Sequence, residues 1–373
     1  MKAERIIEDP VFQLNLLVWA AKEQPDNNSA VVTPVFSRRG YRLLYIENPF
    51  SFPVPLQLQL KDIDDIGIAP TADVVVANME RLSAFYIEAK KQSFGVGSSN
   101  CRQARAHLIA AGPAFTEVYP PINSCRLVYA LPEKYRAGME TTLDALTVDV
   151  EKRGFKPGPF SVHGFGLGDK TITYVLDETS AKILGETNNV IPLLQIADDN
   201  ETDPSPLLLI YTDSDSPNPD NSGFYRRVLA DKIHAQLLCQ LQRRDPSQVF
   251  AIKADNLLNE TSDNTFQYAG KDVQKGMCVF VRDNIFKRIA TFWEEKKPGM
   301  FQLDKLELTV RFGDEFNKEQ FLEWFEDFKR TNFGDEPADP VEVATLDSPK
   351  EVQSELFSVN ESGEAKPGAH TRP

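Results

Sequence analysis

The chain has 373 residues, 41% of them hydrophobic and 24 of them phenylalanine, enough to fill a sizeable core and to build two domains. There is no apolar run of about eighteen residues, and the opening MKAERIIEDP is too polar for a signal peptide, which predicts a soluble cytoplasmic protein with no membrane partner. The net charge of −14 lacks the overall basic footprint of a free nucleic-acid binder, and four scattered cysteines without a Cys-x-x-Cys pair indicate neither a zinc ribbon nor a disulfide framework.

The first predicted element is a helix. Asp9 caps it, Pro10 fits its first position, and Val11, Leu14, Leu17, Val18 and Ala21 recur on one face until Pro25. Residues 40–47, GYRLLYIE, read as a strand, and residues 48–60, with Pro49, Pro53 and Pro55, as a loop or sheet edge. Asp73 then opens the β-branched run Val74, Val75, Val76, one buried strand, and the apolar run 84–89 carries the triplet Glu88, Ala89, Lys90. A period of two puts Tyr86, Glu88 and Lys90 on one face of that second strand and Phe85, Ile87 and Ala89 on the other. The loop 78–83 is short enough to fold the two strands into a hairpin, which brings Asp73 towards Glu88.

A carboxylate and a lysine two residues apart on a half-buried strand are costly to desolvate unless something pairs with them. A divalent cation and a phosphate would do so. Two acidic side chains and the Ala89 carbonyl offer hard oxygen donors suited to Mg²⁺ or Mn²⁺, and Lys90 would orient or deprotonate a water and offset charge on a phosphoryl oxygen. The bland alternative is a surface ion pair on a solvated strand edge.

Past this strand, Gly95 and Gly97 with neighbouring serines predict a turn, where Ser93 and backbone N–H groups can approach a phosphate. Asn100 with Gln103 matches a capping pattern for a helix that ends near Gly112 and Pro113. On that helix Gln103 and His107 share one face, and Arg102 and Arg105 another. His107 reads as structural, and Gln103 as either a cap or a site residue. Lys90, Lys91, Arg102 and Arg105 make the surroundings of Glu88 basic on an acidic body, and residues 122–131 read as the next strand.

The order of Asp73, fourteen residues, Glu88-Ala89-Lys90 and then a polar helix with Gln103 resembles the PD-(D/E)xK nuclease superfamily over roughly residues 1–131. Ala72 stands directly before Asp73, with Pro70 displaced by two, and His107 follows Gln103 by four residues where related exonucleases often carry tyrosine. The resemblance implies an α/β fold with an N-terminal restriction-endonuclease-like core, a mixed sheet flanked by helices in the order helix, three strands, helix, strand. It also implies a Mg²⁺-dependent endonuclease acting on DNA, in restriction or antiviral defence; the acidic body points to a protein partner or a homo-oligomer for DNA binding. Asp73, Glu88, Lys90 and Gln103 would be its catalytic residues, and Asp73, Glu88 and the Ala89 carbonyl would hold the metal. The acidic net charge and the missing Pro-Asp pair favour a different class, a non-catalytic scaffold subunit of a nucleic-acid-processing or defence complex.

Residues 132–333 are expected to form a larger C-terminal α/β accessory domain. Residues 139–153 mix helical and strand signals, and 160–167 with 170–176 predict a hairpin about Gly168 and Asp169. Residues 193–196 and 207–211 read as short buried strands, the second followed by Asp213 and Asp215, which suit a turn better than a metal. Helices are predicted over 224–243, 284–295 and 317–331, and strands over 249–254, 277–281 and 306–312. Phe316, Phe321, Trp324, Phe325 and Phe328 read as the core face of the last helix, with a partner-docking groove as the alternative. Residues 334–373 are expected to be a disordered tail or interaction segment; the last 39 residues hold nine acids and three bases.

Overall fold

The computed structural model describes residues 2–24, 32–196, 205–211 and 219–333. Asp213 and Asp215 and the acidic tail lie outside the described residues.

A short helix α1 (Ala3–Glu8) leads into α2 (Pro10–Ala21), whose start is fixed by the Val11 N–H donating to Asp9 Oδ1 at 3.0 Å. The sequence PVFQLNLLVWAA predicts one apolar face; in the fold all of residues 11–21 are buried. A helix apolar nearly all round must be covered on every side. Here one side packs on the sheet, while Asn15 and Trp19 bond to residues 207–210 and the Phe12 ring lies 5.4 Å from that of Tyr225, within one continuous cluster that holds Leu17, Val74, Phe85, Ile233 and Phe325.

The sheet has seven strands in sequence order, β1 (Arg42–Pro49), β2 (Thr71–Asn78), β3 (Ser83–Ala89), β4 (Ser124–Pro132), β5 (Phe160–Gly168), β6 (Thr171–Val175) and β7 (Val190–Gln195). Strands β1, β2 and β3 are antiparallel neighbours, β3, β4 and β5 run parallel, and β5, β6 and β7 are again antiparallel. The architecture is therefore mixed α/β. The parallel steps need crossovers, and helices supply them. α4 (Asn100–Ile109) lies between β3 and β4, and α6 (Arg136–Lys152) between β4 and β5; the first sits beyond α3 (Val54–Leu60), and α5 (Phe115–Val118) separates the two. Residues 110–114 form a widened turn in which Gly112 leaves helical geometry just before Pro113. Gly112 is small of necessity, since a Cβ there would meet the Lys156 carbonyl oxygen at 2.5 Å.

Both sheet faces are covered. Val75, Tyr86, Leu127 and Tyr129 face α4 and α6, while Val74, Phe85, Ile87 and Val128 face α2. The sheet runs on past residue 131, where sequence reading ends the first domain, because β4 pairs directly with β5.

Beyond α7 (Glu178–Leu184) and β7, α8 (Pro219–Gln242) begins a second layer: β8 (Phe250–Lys253), α9 (Ala254–Thr261), α10 (Lys271–Val281), α11 (Lys287–Lys296), β9 (Phe301–Asp304), β10 (Glu307–Val310) and α12 (Glu315–Phe333). Its three strands form a separate antiparallel sheet, ordered β8, β10, β9.

Three sequence readings are corrected. Residues 277–281 are helical, because Val273, Met277 and Val281 repeat at four and are buried together on α10. The proline-bearing stretch 48–60 ends in α3, with Pro55 tolerated in its first turn. Residues 207–211 form no strand; the N–H groups of Leu209 and Ile210 donate to Asn15 Oδ1 on α2 at 2.7 and 2.9 Å. In the last helix Phe321 and Phe325 are buried as expected, but Phe316 is 64% exposed. Among the described residues no helix is long and apolar enough to cross a membrane.

Candidate active site

The β2–β3 hairpin places the sequence-predicted residues. Its ladder pairs Val75 with Tyr86 and Val74 with Ile87. Val75 and Tyr86 point to the α4 face, so Asp73 and Glu88, each two residues further along, project to that face as well. Past the Val74–Ile87 pair, a side chain takes over from the ladder: the Ala89 N–H donates to Asp73 Oδ2. Asp73 and Glu88 thus converge at one end of the hairpin.

Glu88 is only 2% exposed. Its Oε1 accepts from Lys90 Nζ at 2.6 Å, while Oε2 is buried with no hydrogen-bond partner. Lys90 reaches outward from this pair and touches a second acceptor, Gln103 Oε1, at 3.5 Å. The helix cap expected of Asn100 with Gln103 is not made. Ser99 holds the cap position without a side-chain bond, and Gln103, one turn in, faces the lysine instead.

His107 is wholly buried on the same helix. Its Nε2–H donates to the Thr71 carbonyl at 3.0 Å, because a carbonyl can only accept, so Nδ1 accepts from the Tyr129 hydroxyl at 3.1 Å. Burial lowers the imidazole's pKa below its ordinary value, which keeps the ring neutral. Nε2 also lies 4.0 Å from Glu88 Oε2. Burial, followed by the Glu88 charge, raises the hydroxyl pKa of both Tyr86 and Tyr129 well above the usual value. The Tyr86 hydroxyl donates to the Pro70 carbonyl at 3.1 Å.

Of the predicted basic neighbours, Lys91 and Arg102 are exposed near the site, but Arg105 is committed elsewhere, to Asp149 at 2.6 Å and Asp65 at 3.5 Å. The Gly95 and Gly97 turn is exposed. The roles of Tyr129 and the Thr71 carbonyl are not readable from sequence, since neither belongs to a spacing pattern.

Among the described residues no three His, Cys, Asp or Glu side chains converge as a metal-binding group. The donors on hand are two carboxylates and a main-chain carbonyl, all hard oxygens, and one of them, Glu88 Oε2, is buried and unbonded. That donor set fits Mg²⁺ or Mn²⁺ with water filling the remaining positions.

A second polar cluster lies on the opposite sheet face. The Tyr174 hydroxyl donates to His163 Nδ1 at 2.8 Å, and His163 Nε2–H to Ser180 Oγ at 2.8 Å. Ser180 then donates to Ser161 Oγ at 3.1 Å, and Ser161 to Asp177 Oδ2 at 2.8 Å. His163, Ser161 and Ser180 are all buried and every link is satisfied, so the chain reads as an internal brace that also caps α7.

Comparison of the chain with protein-family models, with curated proteins and with solved structures finds no match.

Proposed function

We propose that the chain is a metal-dependent nuclease that hydrolyses DNA phosphodiester bonds, with Asp73, Glu88 and the Ala89 carbonyl as cation ligands and Lys90 and Gln103 beside the reacting water. The observation that carries this reading is Glu88 Oε2, a carboxylate oxygen buried without a hydrogen bond one residue before Ala89, whose N–H the Asp73 side chain accepts. An unsatisfied buried carboxylate oxygen is costly to keep, and a cation bound there would relieve the cost. The order α2, β1, β2, β3, α4 and β4, with the short α3 inserted between β1 and β2 and α5 ahead of β4, supports it too, since the PD-(D/E)xK resemblance implies helix, three strands, helix, strand.

A bound Mg²⁺ or Mn²⁺ would supply Lewis-acid stabilisation of a phosphoryl oxygen and ease deprotonation of water. Lys90 brings a positive charge to the mouth of the site, where its side chain is 23% exposed, and can hold the attacking water or offset charge on the phosphate. Gln103 keeps the ammonium aimed. Lys91 and Arg102, both exposed, offer contacts to the flanking phosphates. A setting in restriction or antiviral defence follows from the resemblance, and work beside a protein partner from the −14 net charge.

Incubating the full chain with plasmid and Mg²⁺ or Mn²⁺ tests the reading. Cleavage that is lost in Glu88→Gln and Lys90→Ala is expected. Cleavage that survives both changes removes these residues from the chemistry. The second reading, a scaffold subunit, draws on the −14 net charge and on Lys90 closing over Glu88 Oε1. Absence of cleavage with or without candidate partners would select it.

A further inference from the structure

We propose that His107, held by Tyr129, is the positioning residue of this site, fixing the end of β2 against β3 and with it the spacing of Asp73 and Glu88. The inference rests on the metal-nuclease reading above.

The ladder between β2 and β3 ends at Val74 and Ile87, while β2 remains paired to β1 through Ala72 and Thr71, and β3 to β4 through Glu88 and Ala89. At this end each strand is held by its outer neighbour. The gap between them is spanned by side chains: Asp73 to the Ala89 N–H, Tyr86 to the Pro70 carbonyl, and His107 to the Thr71 carbonyl. Of these three, only His107 comes from outside the hairpin. It ties β2 to α4, the helix that also carries Gln103, and through Tyr129 to β4. The ring sits 5.4 Å from the Tyr86 ring and 6.1 Å from the Tyr129 ring, so it has one well-defined place. With Nε2–H committed to Thr71, the imidazole leaves Glu88 Oε2 unbonded although it lies 4.0 Å away. One side chain therefore both sets the distance between the two carboxylates and keeps a ligand oxygen available.

Mn²⁺ binding to the full chain, followed by the loss of the free-ion electron paramagnetic resonance signal, tests this without any substrate. Wild type, Glu88→Gln, His107→Leu, His107→Gln and Tyr129→Phe are compared, with thermal unfolding of each alongside. Wild type is expected to bind in a Glu88-dependent manner, and His107→Leu to weaken binding by about tenfold or more. His107→Gln should recover most of it, since a glutamine amide can donate to Thr71 and accept from Tyr129. If His107→Leu does not fold, Tyr129→Phe carries the test, with weaker Mn²⁺ binding expected. Undiminished affinity in His107→Leu, or in Tyr129→Phe where that variant stands in, overturns the proposal. Equal losses in His107→Gln and His107→Leu also overturn it, because the hydrogen bond would then not be what matters. Wild type that binds no more Mn²⁺ than Glu88→Gln is a different failure, that of the metal reading itself, and takes this inference with it.

Discussion

Glu88 on β3 and Lys90, one residue past the end of that strand, meet at 2.6 Å, yet only the lysine reaches water, with side-chain exposures of 3% and 23%. On an extended strand the two Cα atoms are about 6.6 Å apart, so the longer side chain must fold back to make the contact. The ammonium thus bridges a buried carboxylate and solvent. That arrangement has a cost in desolvation and little reason to exist in a surface strand edge, where ion pairs are weak and freely solvated.

Replacing only the lysine should be worse than replacing both partners. Lys90→Met strands a carboxylate that is almost fully enclosed, and a loss of about 2–3 kcal/mol in unfolding free energy is expected, at or below the low end for broken buried pairs because Lys90 is partly solvated. The double variant Glu88→Gln, Lys90→Met removes the stranded charge and should recover most of that loss. Urea denaturation of the two single variants and the double variant reads the coupling directly, and additive losses would mean that the pair is not coupled.

What the sequence disclosed here, and what it hid, has a physical pattern. The Asp9-Pro10 helix start, the hairpin about Gly168 and Asp169, and the shared face of Tyr86 and Glu88 are local rules of capping, turns and alternation. They survive folding because nothing distant overrides them. Residues 207–211, LLLIY, have every mark of a strand, but their partner is one asparagine side chain on a helix almost two hundred residues earlier. The β-branched residues near Val281 likewise look extended until burial at a spacing of four decides for a helix. Gln103 was legible as polar and helical. Its lysine partner was not, since the contact depends on how α4 lies over the sheet.

The Asn15 link is itself testable. Asn15 is fully buried; Nδ2 donates to the carbonyls of Val11 and Ile210, each at 2.8 Å, while Oδ1 takes the N–H groups of Leu209 and Ile210. Asn15→Leu keeps the volume but leaves two buried N–H groups without acceptors, so a loss of about 3 kcal/mol is expected. Hydrogen exchange at Leu209 and Ile210 should accelerate well beyond that of β3 amides. Exchange that rises uniformly would indicate general destabilisation rather than release of this segment.

Two glycines on or beside α10 should respond in opposite directions. At Gly270 a Cβ would sit 2.2 Å from the Glu47 carbonyl oxygen, and the Gly270 N–H donates to Ile46 at 2.7 Å, so β1 and the C-terminal layer touch through bare backbone. Gly270→Ala must push that contact apart, with an expected loss of about 1–3 kcal/mol. Gly276, exposed inside α10, has nothing within 4 Å of its missing Cβ. There alanine should stabilise by about 0.5–1 kcal/mol through helix propensity. Melting temperatures of the two variants check both signs at once.

Acid should unfold this protein partly through His163. The ring is fully enclosed, and burial pushes its pKa below the ordinary value against the opposing pull of Asp177; Arg136 and Arg126 push it the same way as burial. Tyr174, Ser180 and Ser161 complete its surroundings without charge. A histidine depressed in the folded state takes up its proton first in the unfolded chain. Stability from its neutral form is thus complete above an unfolded pKa of about 6.5 and falls away as the pH drops below it, by up to about 1.4 kcal/mol per pH unit. Asp177, held well below the usual carboxylate range by His163 at 3.7 Å and by the Ser180 N–H despite its own burial, loses its contribution only in stronger acid. His163→Gln cannot titrate, so its unfolding free energy should fall less steeply than wild type between about pH 6.5 and 5, whatever its value at neutral pH. His107 remains in the variant and leaves a residual slope, since burial lowers its pKa in the same direction. Denaturant titrations at several pH values compare the two slopes, and identical slopes would mean that His163 is not neutral in the fold.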